Sequence, residues 1–181
     1  MCIRDRSYVE SDNAGGAAAA VRHLLGRGRT RIATITGPLD MDVARSRLAG
    51  WRAAHQEAGL SPSELLIEEG DFTEESGGRA MRSLLERIPD LDAVFAASDL
   101  MAVGALAELR RQKRRIPDDV AVVGFEDSIL ARHTNPPLTT VRQPVEEVGR
   151  TMARILTDIT LHDADRQHMT LPTELVVRES S

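Results

Sequence analysis

The chain has 181 residues, 41% of them hydrophobic and only 3% aromatic, enough for one sizeable core or two small lobes sharing one, packed mainly by Ala, Val, Leu and Ile. A formal charge of -5 argues against a surface that grips a nucleic-acid backbone, which needs a basic face. No apolar run approaches the length that spans a bilayer.

Met1 to Arg6 lacks the apolar stretch of a signal peptide and matches what a common transposon adapter encodes when read as coding sequence. These six residues are therefore expected to be a non-native leader, with the true start further upstream. Cys2, the single cysteine, would then be foreign. Without it the chain can form no disulfide and use no thiolate, which fits a cytoplasmic protein.

A helix follows Ser11-Asp12-Asn13, with Ala17, Ala18, Val21, Leu24 and Leu25 on one stripe; Asp12 reads as its N-cap rather than as a cleft residue. R-I-A-T-I-T (31–36) is a strand running into the Gly37-Pro38 turn. Ala44, Leu48, Trp51, Ala54 and Ala58 line the next helix, closed by Gly59. Residues 65–68 form a short strand, and Met81, Leu84, Leu85 and Ile88 mark a helix stopped before Pro89. A-V-F-A-A (93–97) is a buried strand, Asp99 can cap a helix carrying Ala102, Ala105, Leu106 and Leu109, and V-A-V-V-G-F (120–125) is the fourth clear strand.

The run R-R-Q-K-R-R at 110–115 falls at a helix end, where cations complement the dipole. Beyond Pro136-Pro137, read as a hinge, Thr139-Thr140-Val141 is extended and Val145, Val148, Met152, Ile155, Leu156 and Ile159 lie on another helix. L-P-T-E-L-V-V-R-E (171–179) is an extended tail. Strands alternating with helices of this length read as βαβ units on a mostly parallel sheet, an α/β fold. The first helix and the one at 145–159 have apolar faces but few strands of their own. They call for a further lobe, so the chain reads as truncated in mid-domain.

In an open parallel sheet, ligands bind beyond the carboxyl ends of the strands. That places Glu126 and Asp127, which follow Gly124-Phe125, where a small polar molecule would be held. Catalysis finds no constellation here. His23, His55, His133, His162 and His168 lack metal-ligand spacing, and no G-x-S-x-G elbow occurs. Glu126 and Asp127 are neighbours rather than an opposed pair as in glycoside hydrolysis. The glycines at 15, 16, 26 and 28 make no G-x-G-x-x-G. Neither an enzyme, nor a cofactor, nor a metal is expected.

Nine strings, in order along the chain, carry a resemblance: D-N-x-G-G at 12–16, H-L-L-G-R-G-R-T-R-I-A at 23–33, I-T-G-P at 35–38, R-S-R-L-A-G-W at 45–51, G-D-F-T-E-E-S-G at 70–77, A-V-F-A-A-S-D-L-M-A-V-G-A from 93, I-P-D-D-V-A-V-V-G-F-E-D at 116–127, P-P-L-T-T-V-R-Q-P at 136–144 and L-P-T-E-L-V-V-R-E-S at 171–180. The chain resembles the carboxy-terminal two thirds of the effector-binding region of the LacI/GalR family of bacterial transcription repressors. The resemblance implies a periplasmic-binding-protein-like fold, α/β with parallel-sheet Rossmann-like lobes, one nearly complete and one partial. It assigns 7–28 to the first lobe, 29–141 to the second, 142–168 to a return into the first, and 169–181 to a terminal strand of the second.

The resemblance also implies a homodimer that senses a sugar-like effector and meets operator DNA only through an upstream helix-turn-helix domain. The family's effector-contacting arginine precedes L/M-A-G, and Arg47 holds that position; Arg45 is a second candidate. Ser98 stands where many relatives carry Asn or Asp. Asp99 is conventional there, although helix capping explains it equally well. Glu126 departs from the usual G-F/Y-D-D by one methylene. Phe72 follows G-D, where an aromatic often walls the cleft and can stack on a sugar face, and Gln143 matches a junction position.

Bland alternatives stand beside these: Arg47 as a solvated arginine, Glu126 as a loop acid answering Arg132 or Arg142, and Phe72 as core. Val103, Leu106 and His133 match dimer-face positions, with a core role open for the first two. The expected function is effector sensing for a LacI-type regulator. The alternative is the sugar-binding component of a transporter with the same fold. A third reading is a piece without function of its own, exposing apolar helix faces.

Overall fold

In the computed structural model, which describes residues 7–61, 63–162, 165 and 167–181, the chain builds two sheets of unequal size. The expected leader at 1–6, with Cys2, lies outside the described residues. Strands β1 (Tyr8–Ser11) and β7 (His168–Leu171) pair in parallel as the small sheet, beside α6 (Val145–His162). The large sheet comprises β2 (Ile32–Thr36), β3 (Ile67–Glu69), β4 (Ala93–Ala96), β5 (Ala121–Glu126), β6 (Thr139–Arg142) and β8 (Glu174–Val176). Its order is β3-β2-β4-β5-β6-β8, parallel throughout except for β8.

Alternation of side chains along each strand divides the core. Ile32, Ala93, Phe95, Val123 and Phe125 face α1 (Asn13–Gly26) and α2 (Asp42–Glu57). Ala33, Ile35, Val94, Ala96 and Val122 face α3 (Glu74–Arg87), α4 (Asp99–Arg111) and the short α5 (Ile129–His133). With both faces covered, the central strands are continuous apolar runs rather than alternating ones. Polar N-caps fix the helix starts: Asp12 Oδ1 accepts from Gly15 N at 2.8 Å, and Thr73 Oγ1 accepts from Ser76 N at 3.1 Å.

Several expectations are corrected. The N-cap of α4 is Ser98, not Asp99: Ser98 is extended (φ -152°, ψ 159°) and its Oγ accepts from Met101 N at 3.2 Å. The opening helix is not an orphan. Ala17, Val21 and Leu24 of α1 are fully buried against the large sheet, among Ile32, Phe95 and Val141, so within 7–28 only β1 belongs to the small sheet. Nor does 169–181 join the large sheet as a whole, because β7 pairs with β1 and only β8 lies on β6. The residues read as a strand at 65–68 begin as a 3-10 turn (Glu64–Leu66) before β3.

Pro136-Pro137 is not where the chain changes sheets. The Pro137 carbonyl accepts from the N–H groups of Glu179 and Ser180 within the large sheet's surround, and the chain departs only after Arg142. The basic run at 110–115 closes α4 as expected, and its arginines find acceptors inside the chain. Arg110 reaches the Asn135 carbonyl, Arg111 Glu108, Arg114 the Pro89 carbonyl at 2.8 Å, and Arg115 Asp119.

Close approach of α1 to α2 depends on Gly50, where a Cβ would lie 2.1 Å from the Ala14 carbonyl oxygen. Gly50→Ala must push two backbones apart, and a loss of about 1–3 kcal/mol is expected. Gly149, on α6, has open space around it, with no atom within 4 Å of where a Cβ would stand apart from its chain neighbours and its own helix backbone; Gly149→Ala is expected to gain up to ~1 kcal/mol from helix propensity. Urea midpoints of the two variants moving in the same direction would contradict this packing.

Candidate functional site

Strand order reverses between β2 and β4: the chain runs from β2 outward to β3 and returns on the other side of β2. A crevice opens at such a switch point, beyond the carboxyl ends of the strands. Arg47, in the second turn of α2, sits there. Its Nε donates to Asn13 Oδ1 at 3.0 Å, its Nη1 donates to the Ala97 carbonyl at 2.5 Å, and its guanidinium lies 3.8 Å above the Phe125 ring centroid. The side chain is almost entirely enclosed, at 3% exposure. Burial lowers its pKa to about 10, opposed by Glu126 and Asp99, so it stays a cation at neutral pH. The solvated-arginine alternative does not describe this residue.

Glu126, half-buried at the end of β5, shares this charge group. Burial raises its pKa and the Asp99 carboxylate raises it further, while Arg47 and the Asp99 backbone N–H favour the ionised form. Two acids thus stand close to one cation. Asp99 is fully enclosed and spent on internal bonds, with Oδ2 accepting from Ser128 N at 2.7 Å and Oδ1 from Thr140 Oγ1 at 2.5 Å. Burial raises its pKa against the pull of those bonds.

Ser98 is 1% exposed and occupied as a cap. Ser98, a candidate for ligand contact through its short hydroxyl, and Asp99, a candidate for contact or cap, are both buried and engaged in bonds that hold α4 and the β5 loop. Phe72, at a positive φ of 67°, lays its ring over Gly37, where a Cβ would meet the ring at 2.0 Å. The ring is half-buried at the end of β2, its inner side against the core. Arg45 is on the exposed side of α2, bonded to the Leu39 carbonyl at 2.7 Å and to Asp42; the structure does not bring it to Arg47 and Glu126. Gln143 follows β6 directly and is half-buried.

Sequence reasoning misses three residues of this group. Asn13 lies inside the D-N-x-G-G string, which is a usable signal. Thr140 and Arg178 also lie inside such strings, but nothing local names their partners Asp99 and Asp127, 41 and 51 residues away. Asp127 itself is not a second ligand group. Its carboxylate accepts from Arg178 and Arg142, whose bonds outweigh burial and hold its pKa below the usual range.

On the α4 and α5 side, Val103, Leu106 and His133 border one groove with Arg110 and Leu130. Leu106 is fully buried in the chain's own core, so the dimer-face expectation is corrected for it, while Val103 is half-buried and His133 exposed. A separate apolar hollow of about 270 Å³ lies between β1 and α6, lined by Tyr8, Val9, Met152 and Leu156 among others. No charged side chain lines it, nor does any of the candidate effector residues. Among the described residues no cluster of His, Cys, Asp and Glu suits a metal.

A family model described as a periplasmic binding protein-like domain matches residues 21–181. The HTH-type transcriptional regulator CelR of Thermobifida fusca is 53% identical over 175 residues, 96% of this chain and 52% of that protein. A solved dimeric Lac repressor superposes with a TM-score of 0.90 at 30% identity, over 96% of this chain and 63% of that one. The chain belongs to the LacI/GalR family, in its periplasmic-binding-protein-like effector region. Another solved LacI/GalR relative, a transcriptional regulator CelR–cellobiose complex, gives a TM-score of 0.94 at 51% identity over 97% of this chain and 54% of that one. The chain spans about half the length of the curated relatives it matches. Those relatives carry the names of transcription regulators and repressors.

Proposed function

We propose that this chain is the effector-sensing and dimerisation region of a LacI-type transcription regulator, taking a small sugar at the carboxyl ends of its parallel strands. One observation carries the reading. Arg47, 79 positions from Glu126 in the sequence, lies over the ring of Phe125, the residue preceding Glu126, and each charge acts on the other's ionisation; together they would offer a cation and an acceptor to sugar hydroxyls. Phe72 supplies an aromatic surface nearby for the C–H face of a ring. Gln143 is the proposed contact from the junction. The CelR complex contains cellobiose, which makes a glucose disaccharide the first ligand to try.

Signalling follows from where the chain crosses between sheets, at 11–13, 142–145 and 171–174. A ligand with different contacts in two arrangements of the sheets shifts the balance between them, and with it the affinity of an attached DNA-binding head. Operator contact is assigned to a helix-turn-helix head outside these 181 residues, in keeping with the chain's net charge of -5; of its basic run, Arg111 and Arg115 are paired with carboxylates and Arg110 and Arg114 are bonded to backbone carbonyls. The dimer face runs from Val103 to His133, where Leu100, Ile129 and Leu130 stay exposed. A cytoplasmic location rests on the regulator relatives. Among the described residues, no helix is long and apolar enough to cross a membrane. The transporter reading draws no support from these relatives.

Calorimetric titration with cellobiose tests the site. A carboxylate accepting hydroxyl bonds must be ionised, and Glu126 has its pKa raised above the ordinary glutamate value. Affinity is therefore expected to fall as pH drops through that raised pKa, at higher pH than an exposed carboxylate near ~4.3 would show. Glu126→Gln is expected to bind about tenfold more weakly at neutral pH, with the acid-side decline flattened. Equal affinity and an equal pH profile in the variant would remove Glu126 from the site.

A further inference from the structure

Behind the effector mouth, the end of β5 adopts a conformation that needs holding. Glu126 (φ 126°) and Asp127 (φ 52°) are consecutive non-glycine residues at positive φ, a region L side chains rarely enter. Such backbone persists where the surroundings over-determine it. Asp127 provides the surroundings. Its Oδ1 accepts from Arg178 Nη2 at 2.5 Å and its Oδ2 from Arg142 Nε at 2.7 Å, with Arg132 at 3.9 Å. Its own N–H donates to Thr140 Oγ1 at 3.3 Å. The carboxylate side chain is only 3% exposed, so arginines rather than water balance its charge.

The two principal arginines come from informative places. Arg142 is the last residue of β6, stands opposite Glu126 in the ladder, and is the point from which the chain leaves the large sheet for α6. It also donates to Glu174 on β8 at 3.0 Å. Arg178 lies in the tail beyond β8 and donates to the Leu138 carbonyl at 2.7 Å as well. One carboxylate therefore ties the loop that carries Glu126 to a crossing between the sheets and to the terminal segment.

We propose that Asp127 is a positioning residue of the effector site: by holding Arg142 and Arg178 it fixes the backbone that presents Glu126, and links that contact to the crossing at Arg142. The inference rests on Glu126 being a ligand acceptor, as proposed above. Linkage is reciprocal. Occupancy at Glu126 biases the crossing, and the arrangement of the crossing sets how well Glu126 is presented.

Asp127→Asn tests this with little steric change, because Asn tolerates positive φ and has nearly the same volume. Hydrogen exchange is expected to speed at the amides of 126–128 and in β6, while β2 and β4 keep their protection. Cellobiose affinity is expected to fall about tenfold. Combined with Glu126→Gln, the second substitution is expected to add no further loss, since Asp127 acts through Glu126. Arg142→Gln, on a partly exposed side chain, is expected to reproduce a smaller version of both effects without endangering the fold.

Unchanged exchange in Asp127→Asn, or additive losses in the double variant, overturns the positioning role. So does a general unfolding of Asp127→Asn accompanied by wild-type exchange and affinity in Arg142→Gln. Wild-type cellobiose affinity in Glu126→Gln defeats the reading of the site instead; local exchange in Asp127→Asn then decides separately whether Asp127 clamps the loop.

Discussion

Arg47→Ala is expected to cost both binding and stability: about 100-fold in cellobiose affinity and about 3–5 kcal/mol in folding free energy. The binding loss follows from removing the only cation in the charge group formed with Glu126 and Asp99. A hydrogen bond to a charged group is worth about 1.5–3 kcal/mol, and each 1.4 kcal/mol is tenfold. The stability loss has a different origin. The side chain is 3% exposed, so its removal strands the Ala97 carbonyl, uncovers the Phe125 ring, and leaves one enclosed carboxylate, Asp99, and one half-buried, Glu126, without their compensating charge.

Arg47→Lys separates the two effects. Lysine keeps the charge, but an ammonium cannot span Asn13 and Ala97 while stacking on a ring, so it should recover part of the stability and little of the affinity. Cellobiose titration and urea unfolding of both variants check this; wild-type affinity in a folded Arg47→Ala chain would end the sensing account. Asn13 adds a further consequence. It directly follows the step from β1 into α1, so the guanidinium proposed to meet the ligand also grips the chain at its first crossing.

How far the sequence disclosed all this depended on whether a signal was local. β2, β4 and β5 are apolar runs with clear boundaries, and α2, α3 and α4 carry long stripes, so the large sheet and its helices were legible. β1 and β7 are four residues each, half-exposed, and paired only with one another, which leaves no pattern to find. α1 was legible as a helix but not as a partner of the large sheet, because alanine stripes and Gly50 declare close packing without naming the surface.

The capping expectation failed by one position, since Ser98 and Asp99 are both good caps and only the extended backbone of Ser98 decides between them. Among the site residues, Arg47, Glu126 and Phe72 stand within recognisable strings. Asp127, Arg142 and Arg178 stand in such strings too, but their pairing was not legible, because β5, β6 and the tail beyond β8 are brought together only by the parallel sheet and its antiparallel last strand.

Trp51→Ala is expected to be the most damaging substitution outside the site, at about 3–5 kcal/mol. Trp51 is fully buried between α2 and the large sheet, with its Nε1 donating to the Ile32 carbonyl at 3.2 Å and its ring 4.4 Å from that of His55. The side chains of its buried cluster, Leu24, Ile32, Phe95 and Phe125 among them, are themselves fixed on other elements, and α1 and α2 are already held together by backbone contact at Gly50. The cavity therefore persists instead of collapsing, which places the cost at the upper end for an aromatic truncation.

Trp51→Phe divides that cost into its parts. Phenylalanine restores most of the apolar contact but cannot donate, so the remaining deficit of about 1–2 kcal/mol measures the Ile32 bond and the smaller ring. Because Trp51 is the single tryptophan, unfolding must be followed by far-ultraviolet circular dichroism rather than by intrinsic tryptophan emission. An Ala variant within about 1 kcal/mol of wild type would mean that the α1–α2 layer repacks freely, and Arg47, carried on the same helix as Trp51, could then not be held to the geometry on which effector recognition depends.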